Sequence, residues 1–349
     1  MLMGKASASI ASRPSESPWS SGMEHPLLSI GIPVYNSEDC IGKAIESVQA
    51  QTYRNVEIVI SDNCSTDRTR EICLAHAAKD HRIRYYRNRT DIGKEPNFLR
   101  VLQLATGDFF MWNCADDVRP PGSLESLMAA MVSSPQAVMA LGPVVAEAIG
   151  STRVLDNRMN AMNDHPSERI RAFVKGVEHN AIQYGVFKKN VLTRAYVTSN
   201  FIASHYGHDY HLCLQTCLLG PVAYSPTPMI IYREKGIHPT LDPMGQGKPV
   251  TLWNLLTGGK AILKVWITLL HGCVYLLRPS EVTLSNRIGS LCAFGSAFVA
   301  RYRGRLVKDA ILVSGFPLRW PLSRAWPLAK RSPLLLTLSR KFKARTISP

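Results

Sequence analysis

The sequence predicts an α/β protein: a mostly parallel central sheet with helices on both faces, followed by a helical, basic C-terminal appendage. Three observations carry that expectation. Short apolar runs alternate with segments of helical period. Polar clusters follow three of those runs. Nearly all of the net charge of +15 lies in residues 250–349.

The first run, Pro26 to Val34 (PLLSIGIPV), reads as a buried strand ending at Pro33. In Ser37 to Ala50 the apolar residues Ile41, Ala44, Ile45 and Val48 recur at helical spacing. Val56 to Ser61 is a second strand, Asp67 to Ala78 a helix, Ile83 to Tyr86 a third strand, Asn97 to Ala105 a helix and Phe109 to Asn113 a fourth strand. Beyond it the pattern predicts a helix over Pro121 to Val132, a strand over Val138 to Val145, a mobile polar loop over Ser151 to Asn163, a helix over Asp209 to Leu219 and a late strand over Met229 to Arg233. Alternating strands and helices predict parallel pairing, and ligands of such sheets bind beyond the carboxyl ends of the strands. The residues there are Pro33-Val34-Tyr35-Asn36, Ser61 to Asp67, and Cys114-Ala115-Asp116-Asp117.

Residues 1–25 are expected to be a disordered tail, rich in Ser, Ala and Pro and lacking the apolar segment of a signal peptide; Met23 is an alternative start. Residues 26–240 form the expected α/β domain, 241–250 a linker with several prolines and glycines, and 251–349 a basic helical region. From Met1 to Pro249 there are 25 Lys+Arg against 24 Asp+Glu; from Val250 to Pro349 there are 16 against 2. The eight cysteines form no CxxC pair, which argues against a cysteine metal site and suits free thiols of a cytosolic protein.

Adjacent carboxylates at a strand end, Asp116 and Asp117, suit a hard divalent cation with phosphate oxygens completing its shell. An Asp-rich surface turn is the competing explanation. Asp62 is placed to accept hydrogen bonds from a ring N–H or a ribose hydroxyl, or to cap a helix, as Thr66 and Asp67 are. Tyr35 is placed to stack on a base or to sit as an ordinary rim aromatic.

Together the stretches IPVYN with Glu38, VEIVISDNCSTDRT, NRTDIGKEPNF, ATGDFFMWNCADDVRPPGSL and GHDYHLCLQTCLLGPVAYSPTPMIIYREKGIHPT resemble glycosyltransferase family 2, as found among bacterial exopolysaccharide and cell-surface glycan enzymes. The resemblance spans about Leu27 to Thr240. It implies a GT-A fold and inverting transfer from a nucleotide-diphosphate sugar. It places Pro33, Tyr35 and Asp62 on the nucleotide, with Glu38 and Lys94 among the donor-binding residues. Asp117 would hold Mg²⁺ or Mn²⁺ against the diphosphate, and Asp116 would reach the ribose or donor sugar. Asp209 takes the position of the catalytic base, with His208 as competitor. His238 matches a position on the metal or diphosphate, or is a loop histidine without a ligand. Val118 stands where some relatives carry a third acid. No QxxRW motif follows Asp209, which implies one sugar added per encounter rather than processive synthesis.

In the tail, Ala261 to Leu277 and Ile288 to Ala300 fall short of the about 20 apolar residues a spanning helix needs. Arg301, Arg303, Arg305 and Lys308, then Trp320 and Trp326 among further basic residues, suit an anionic membrane surface. The competing arrangement is a helical appendage packed on the catalytic domain. The expected partners are thus a nucleotide-sugar donor, a glycan or lipid-linked acceptor and an anionic membrane surface, with no nucleic acid, since no recognition motif accompanies the charge. The expected location is the cytoplasm, peripheral on the cytoplasmic face of the membrane. The alternatives are a nucleotide-binding protein of the same fold without transfer activity, acting as a membrane-surface scaffold, and a nucleotidyltransferase.

Overall fold

The computed structural model describes residues 25–148, 151–156, 162–176, 183–199, 208–233, 272–274, 276 and 282–314. His238, the 241–250 linker, residues 1–24 of the N-terminal tail, Trp320 and Trp326 lie outside them.

Strands β1 (Leu28–Val34) and β2 (Val56–Asp62) are buried along their whole length. That is why their sequences read as continuous apolar runs. β3 (Ile83–Arg87) pairs with β2 at the sheet edge and is buried only at Ile83. Between them, α1 (Ile41–Gln49) buries Ile41, Ala44, Ile45 and Val48, the expected apolar face, and packs on α2 (Thr69–Ala77). α3 (Lys94–Leu104) lies against β1 and β2 and leads to β4 (Phe109–Trp112) on the other side of β1. Contact between α3 and β1 is close: a Cβ at Gly31 would stand 2.8 Å from Val101 Cγ2 and 2.7 Å from Phe110 Cζ.

After α4 (Ser123–Ser133) the chain departs from simple alternation. The strand expected over Val138 to Val145 is two strands, β5 (Met139–Leu141) and β6 (Val144–Ala148). They belong to different sheets, separated at Gly142-Pro143, where Cβ on Gly142 would meet Thr227 O at 2.6 Å. The loop expected over Ser151 to Asn163 begins instead as β7 (Ser151–Leu155), antiparallel to β6. Its polar sequence reflects an edge strand exposed on both faces, not a lack of pairing: Thr152, Arg153 and Val154 are exposed while the backbone is paired. Then follow α5 (Pro166–Gly176), β8 (Val186–Lys188), α6 (Lys189–Ser199), α7 (His208–Leu219), β9 (Val222–Tyr224), β10 (Ile230–Arg233) and α8 (Leu284–Ser314).

The main sheet runs β3-β2-β1-β4-β8-β5-β9, and a smaller one runs β10-β6-β7. β8 alone is antiparallel to its neighbours in the main sheet, so that sheet is mostly parallel as expected. Trp112 anchors the centre. It meets Phe110 and Phe187 edge-on, with centroids 4.9 and 6.2 Å apart, and its indole N–H donates to Phe98 O at 3.1 Å. At the opposite end, buried Glu57 accepts from Ser29 Oγ (2.6 Å), Arg84 (2.7 Å) and the backbone of Thr106 and Gly107. Burial raises the pKa of this carboxyl, but those hydrogen bonds outweigh it and hold it below the usual range.

In α8, Ala293, Phe294, Ala297 and Phe298 are buried in the same core, and Arg301 donates to Val174 O of α5. By contacts the chain divides into residues 1–303 and 304–349; of the second unit the described part is the end of α8. No described helix is long and apolar enough to cross a membrane.

Candidate active site

Three loops leave the carboxyl ends of β1, β2 and β4. Strand order reverses between β1 and β4: β2 and β3 extend one way, β4 the other. Such a switch point opens a crevice beyond the strand ends. The β1–β4 ladder stops at Gly31↔Trp112, closed by Asn113 N donating to Gly31 O (2.9 Å), whereas β1–β2 continues to Val34↔Asp62. Strand alternation aims the next main-chain groups on that side from Pro33. Proline has no N–H, and β4 has already turned away, so no ladder bond is lost there.

The loops after β1 and β2 are tied together. Asn36 takes a left-handed conformation (φ 44°). Its N–H donates to Ser65 Oγ (3.0 Å), and its Oδ1 accepts from Thr66 N (2.8 Å). Ser37 N donates to Thr69 Oγ1 (2.8 Å). Glu38 Oε2 accepts from Arg68 N at the start of α2 (2.9 Å), while its own N–H donates to Asp67 (3.1 Å). Glu38 therefore caps a neighbouring helix. Asp62 is fully buried. Its carboxylate accepts from Ser65 N (2.8 Å) and Tyr85 Oη (2.5 Å) and lies 3.6 Å from Arg87. Tyr35 projects from the same loop, 49% exposed.

Lys94 opens α3, exposed, with its ammonium over the Phe98 ring (5.6 Å). A buried amide network that the sequence did not announce fixes its loop. Ser61 Oγ donates to Asn97 Oδ1 (2.7 Å), Asn88 Nδ2 to Asn63 Oδ1 and Asn97 Oδ1 (3.0 and 3.1 Å), and Ile92 N to Asn63 Oδ1 (2.9 Å). Tyr196 Oη holds the first turn of α3 through Glu95 O (3.1 Å).

The loop after β4 carries Cys114, exposed Asp116 and buried Asp117, whose ligand atoms lie within 4.8 Å of one another. Beneath it is Arg119, 2% exposed and also missed by sequence reasoning. Its guanidinium donates to Trp112 O (2.6 Å), Met229 O (2.7 Å), Asn113 Oδ1 (2.8 Å) and Tyr184 O (3.0 Å). Burial pulls its pKa down to about 10, with Asp117 acting in the other direction. Gln51 ties the same loop to the end of α1 through Pro120 O (2.9 Å) and Leu124 N (3.2 Å).

The donor set fits a hard cation. Burial, then the Asp117 charge, pushes the Cys114 thiol up to about 12, and the sulfur lies 3.0 Å from Tyr184 Oη. The two adjacent carboxylates beside it supply the oxygen chemistry that Mg²⁺ or Mn²⁺ takes. The structure thus brings Pro33, Tyr35, Glu38, Asp62, Lys94, Asp116 and Asp117 to the carboxyl ends of β1, β2 and β4 and the start of α3. Asp209 lies in the first turn of α7, a helix packed on α5 and α6. His238 lies outside the described residues.

Comparison with known proteins finds one family model and several relatives that resemble this chain. A family model described as glycosyl transferase family 2 matches residues 29–193. An uncharacterized glycosyltransferase of Rickettsia typhi is 35% identical over 100 residues, 29% of this chain and 30% of that one. A Campylobacter jejuni GalNAc(5)-diNAcBac-PP-undecaprenol beta-1,3-glucosyltransferase is 34% identical over 104 residues, 30% of this chain and 34% of that one. The matched segment thus spans about a third of the length of these relatives. Among solved structures, Staphylococcus aureus TarS 1-349 in complex with UDP-GlcNAc superposes with a TM-score of 0.55 at 16% identity, covering 85% of this chain and 77% of that one. A mannosyltransferase from Pyrobaculum calidifontis in complex with GDP-Man and Mn²⁺ gives 0.50 at 16% identity, covering 92% and 84%.

Proposed function

We propose that this chain belongs to glycosyl transferase family 2, whose model matches residues 29–193, and that it is an inverting, non-processive glycosyltransferase that moves a sugar from a nucleotide-diphosphate sugar to an acceptor hydroxyl. The observation that carries the proposal is the Asp116–Asp117 pair at the end of β4, set across the β1/β4 switch point from the joined loops of β1 and β2. The acceptor is a cell-surface glycan or a lipid-linked saccharide, met at the cytoplasmic face of a membrane. Support for that class comes from the undecaprenol-linked substrate in the name of the Campylobacter jejuni relative.

In this mechanism Tyr35 stacks on the nucleotide base beyond Pro33. Asp62 and Glu38 hold the two loops that cradle the nucleotide, their carboxylates already engaged by Ser65, Tyr85 and Arg68. Lys94 faces the diphosphate with its charge. Asp116 and Asp117 would hold Mg²⁺ or Mn²⁺, together with His238. When bound, the cation neutralises the charge that builds on the departing diphosphate. Asp209 removes the proton from the acceptor hydroxyl, which attacks the sugar carbon from the face opposite the leaving group. A single in-line displacement inverts that carbon.

The test is thermal stabilisation by UDP-, GDP- and dTDP-sugars with and without Mn²⁺, followed by transfer assays. One donor should raise the melting temperature, more so with Mn²⁺, and Asp117→Asn should abolish the Mn²⁺-dependent part. Asp209→Asn should still bind donor but lose about 10²- to 10⁴-fold in transfer. Stabilisation by no donor, or wild-type transfer in both variants, would overturn the proposal.

A further inference from the structure

Helix α8 has two apolar faces, and packing accounts for one. Ser290, Ala293, Phe294, Ala297 and Phe298 are buried. Leu284, Ile288 and Val299 are instead 58%, 48% and 46% exposed. Spaced by four and then eleven residues, they share one stripe, roughly 150° around the helix from the buried one. Cys292 is exposed beside that stripe, and Gly295 lies along it with open space where a Cβ would stand. Aligned along one helix, these half-exposed aliphatic residues form a stripe rather than scattered single exposures.

Charge decides what that surface takes. α8 carries Arg287, Arg301, Arg303, Arg305 and Lys308 against the single acid Asp309, and residues 250–349 carry 16 basic residues against 2 acidic. A second copy of the chain would bring the same excess charge against it and be repelled. An anionic lipid surface offers the opposite sign and an apolar layer for the stripe. The helix is not apolar enough to cross a bilayer.

We infer that the face of α8 bearing Leu284, Ile288 and Val299 lies against an anionic membrane, with those three side chains inserted below the headgroups and the basic excess of residues 250–349 drawing the chain to the surface. The inference rests on the proposed work at a membrane face and names the surface that makes the contact. It positions the sheet by the other face of the helix, which is seated in the core through Phe294 and Phe298.

The experiment floats the full-length protein with vesicles of phosphatidylcholine alone or mixed with phosphatidylglycerol. Wild type should float with the anionic vesicles and be released by salt. The triple variant L284S/I288S/V299S should lose about tenfold or more of its vesicle partitioning. Its melting temperature and its stabilisation by donor should stay at wild-type values, so that failure of the docking surface is distinguishable from failure of the transferase reading. In unaltered protein, anionic vesicles should slow maleimide labelling at Cys292, a readout that needs no variant. The inference falls if the triple variant floats like wild type, if neutral vesicles bind equally, if labelling of Cys292 is unchanged, or if the stripe instead mediates a concentration-dependent dimer.

Discussion

Arg119 offers the most exacting test of how the β4 loop is built. Arg119→Met keeps most of the aliphatic volume and removes every N–H. Four buried acceptors then lose their donor: Trp112 O, Tyr184 O, Met229 O and Asn113 Oδ1. Each orphaned acceptor costs about 1–3 kcal/mol. Relief from holding a charge out of water offsets part of this, on the order of 3 kcal/mol for a pKa drawn down from 12.5 to about 10. The net loss by this count is about 1–9 kcal/mol, bracketing the about 3–5 kcal/mol found when one member of a buried charged pair is removed. With a urea m-value of about 2–3 kcal/mol/M, the unfolding midpoint followed by circular dichroism should fall by about 1 M or more. Arg119→Lys should recover only part, because an ammonium has three donors and cannot span four acceptors set by a planar fork. Donor stabilisation should weaken in parallel, because the turn bearing Asp116 and Asp117 loses its support. A midpoint shift below about 0.3 M for Arg119→Met would refute the clamp.

Two further outcomes follow from the packing and charge of the sheet. Gly107→Ala puts a Cβ 2.5 Å from Leu27 O and 2.8 Å from Ser29 Oγ, so it should destabilise the protein by about 1–3 kcal/mol in the same urea assay. Asp80 is held well below the usual carboxylate range, first by the Arg82 guanidinium and also by Gln49. Its contribution is therefore present above the unfolded pKa of about 3.9 and is lost as pH falls through the lower folded value, so Asp80→Asn should flatten the fall in stability below about pH 4.

The first four strands and three helices were legible because each signal was local. β1 and β2 are central parallel strands and read as unbroken apolar runs, and α1 shows its buried face at helical spacing. β8 is three residues long, paired antiparallel between β4 and β5, so neither length nor alternation announces it. β7 looked like a loop because its side chains face water, although its backbone is paired. At the site, the adjacent Asp116 and Asp117 stood out as a pair. Arg119 did not, since a lone arginine in a Pro-rich turn normally signals a solvated surface; only the three-dimensional meeting of Trp112, Tyr184 and Met229 makes it interior. Asp62 lay open in the sequence between ligand and cap, and its carboxylate is taken up by Ser65, Tyr85 and Arg87. The Asn63–Asn88–Asn97 network gave no advance signal, because single asparagines spread along a chain carry none.

Pro33 has a consequence for the crevice itself. Parallel strands tend to keep zipping wherever both offer donors and acceptors, and a longer β1–β4 ladder would seal the gap where the Asp116–Asp117 loop turns out. The pyrrolidine ring withholds the one hydrogen that the next rung would need. The mouth of the site thus opens at a residue that leaves no donor unpaired, so the backbone there has one bond fewer to gain by closing.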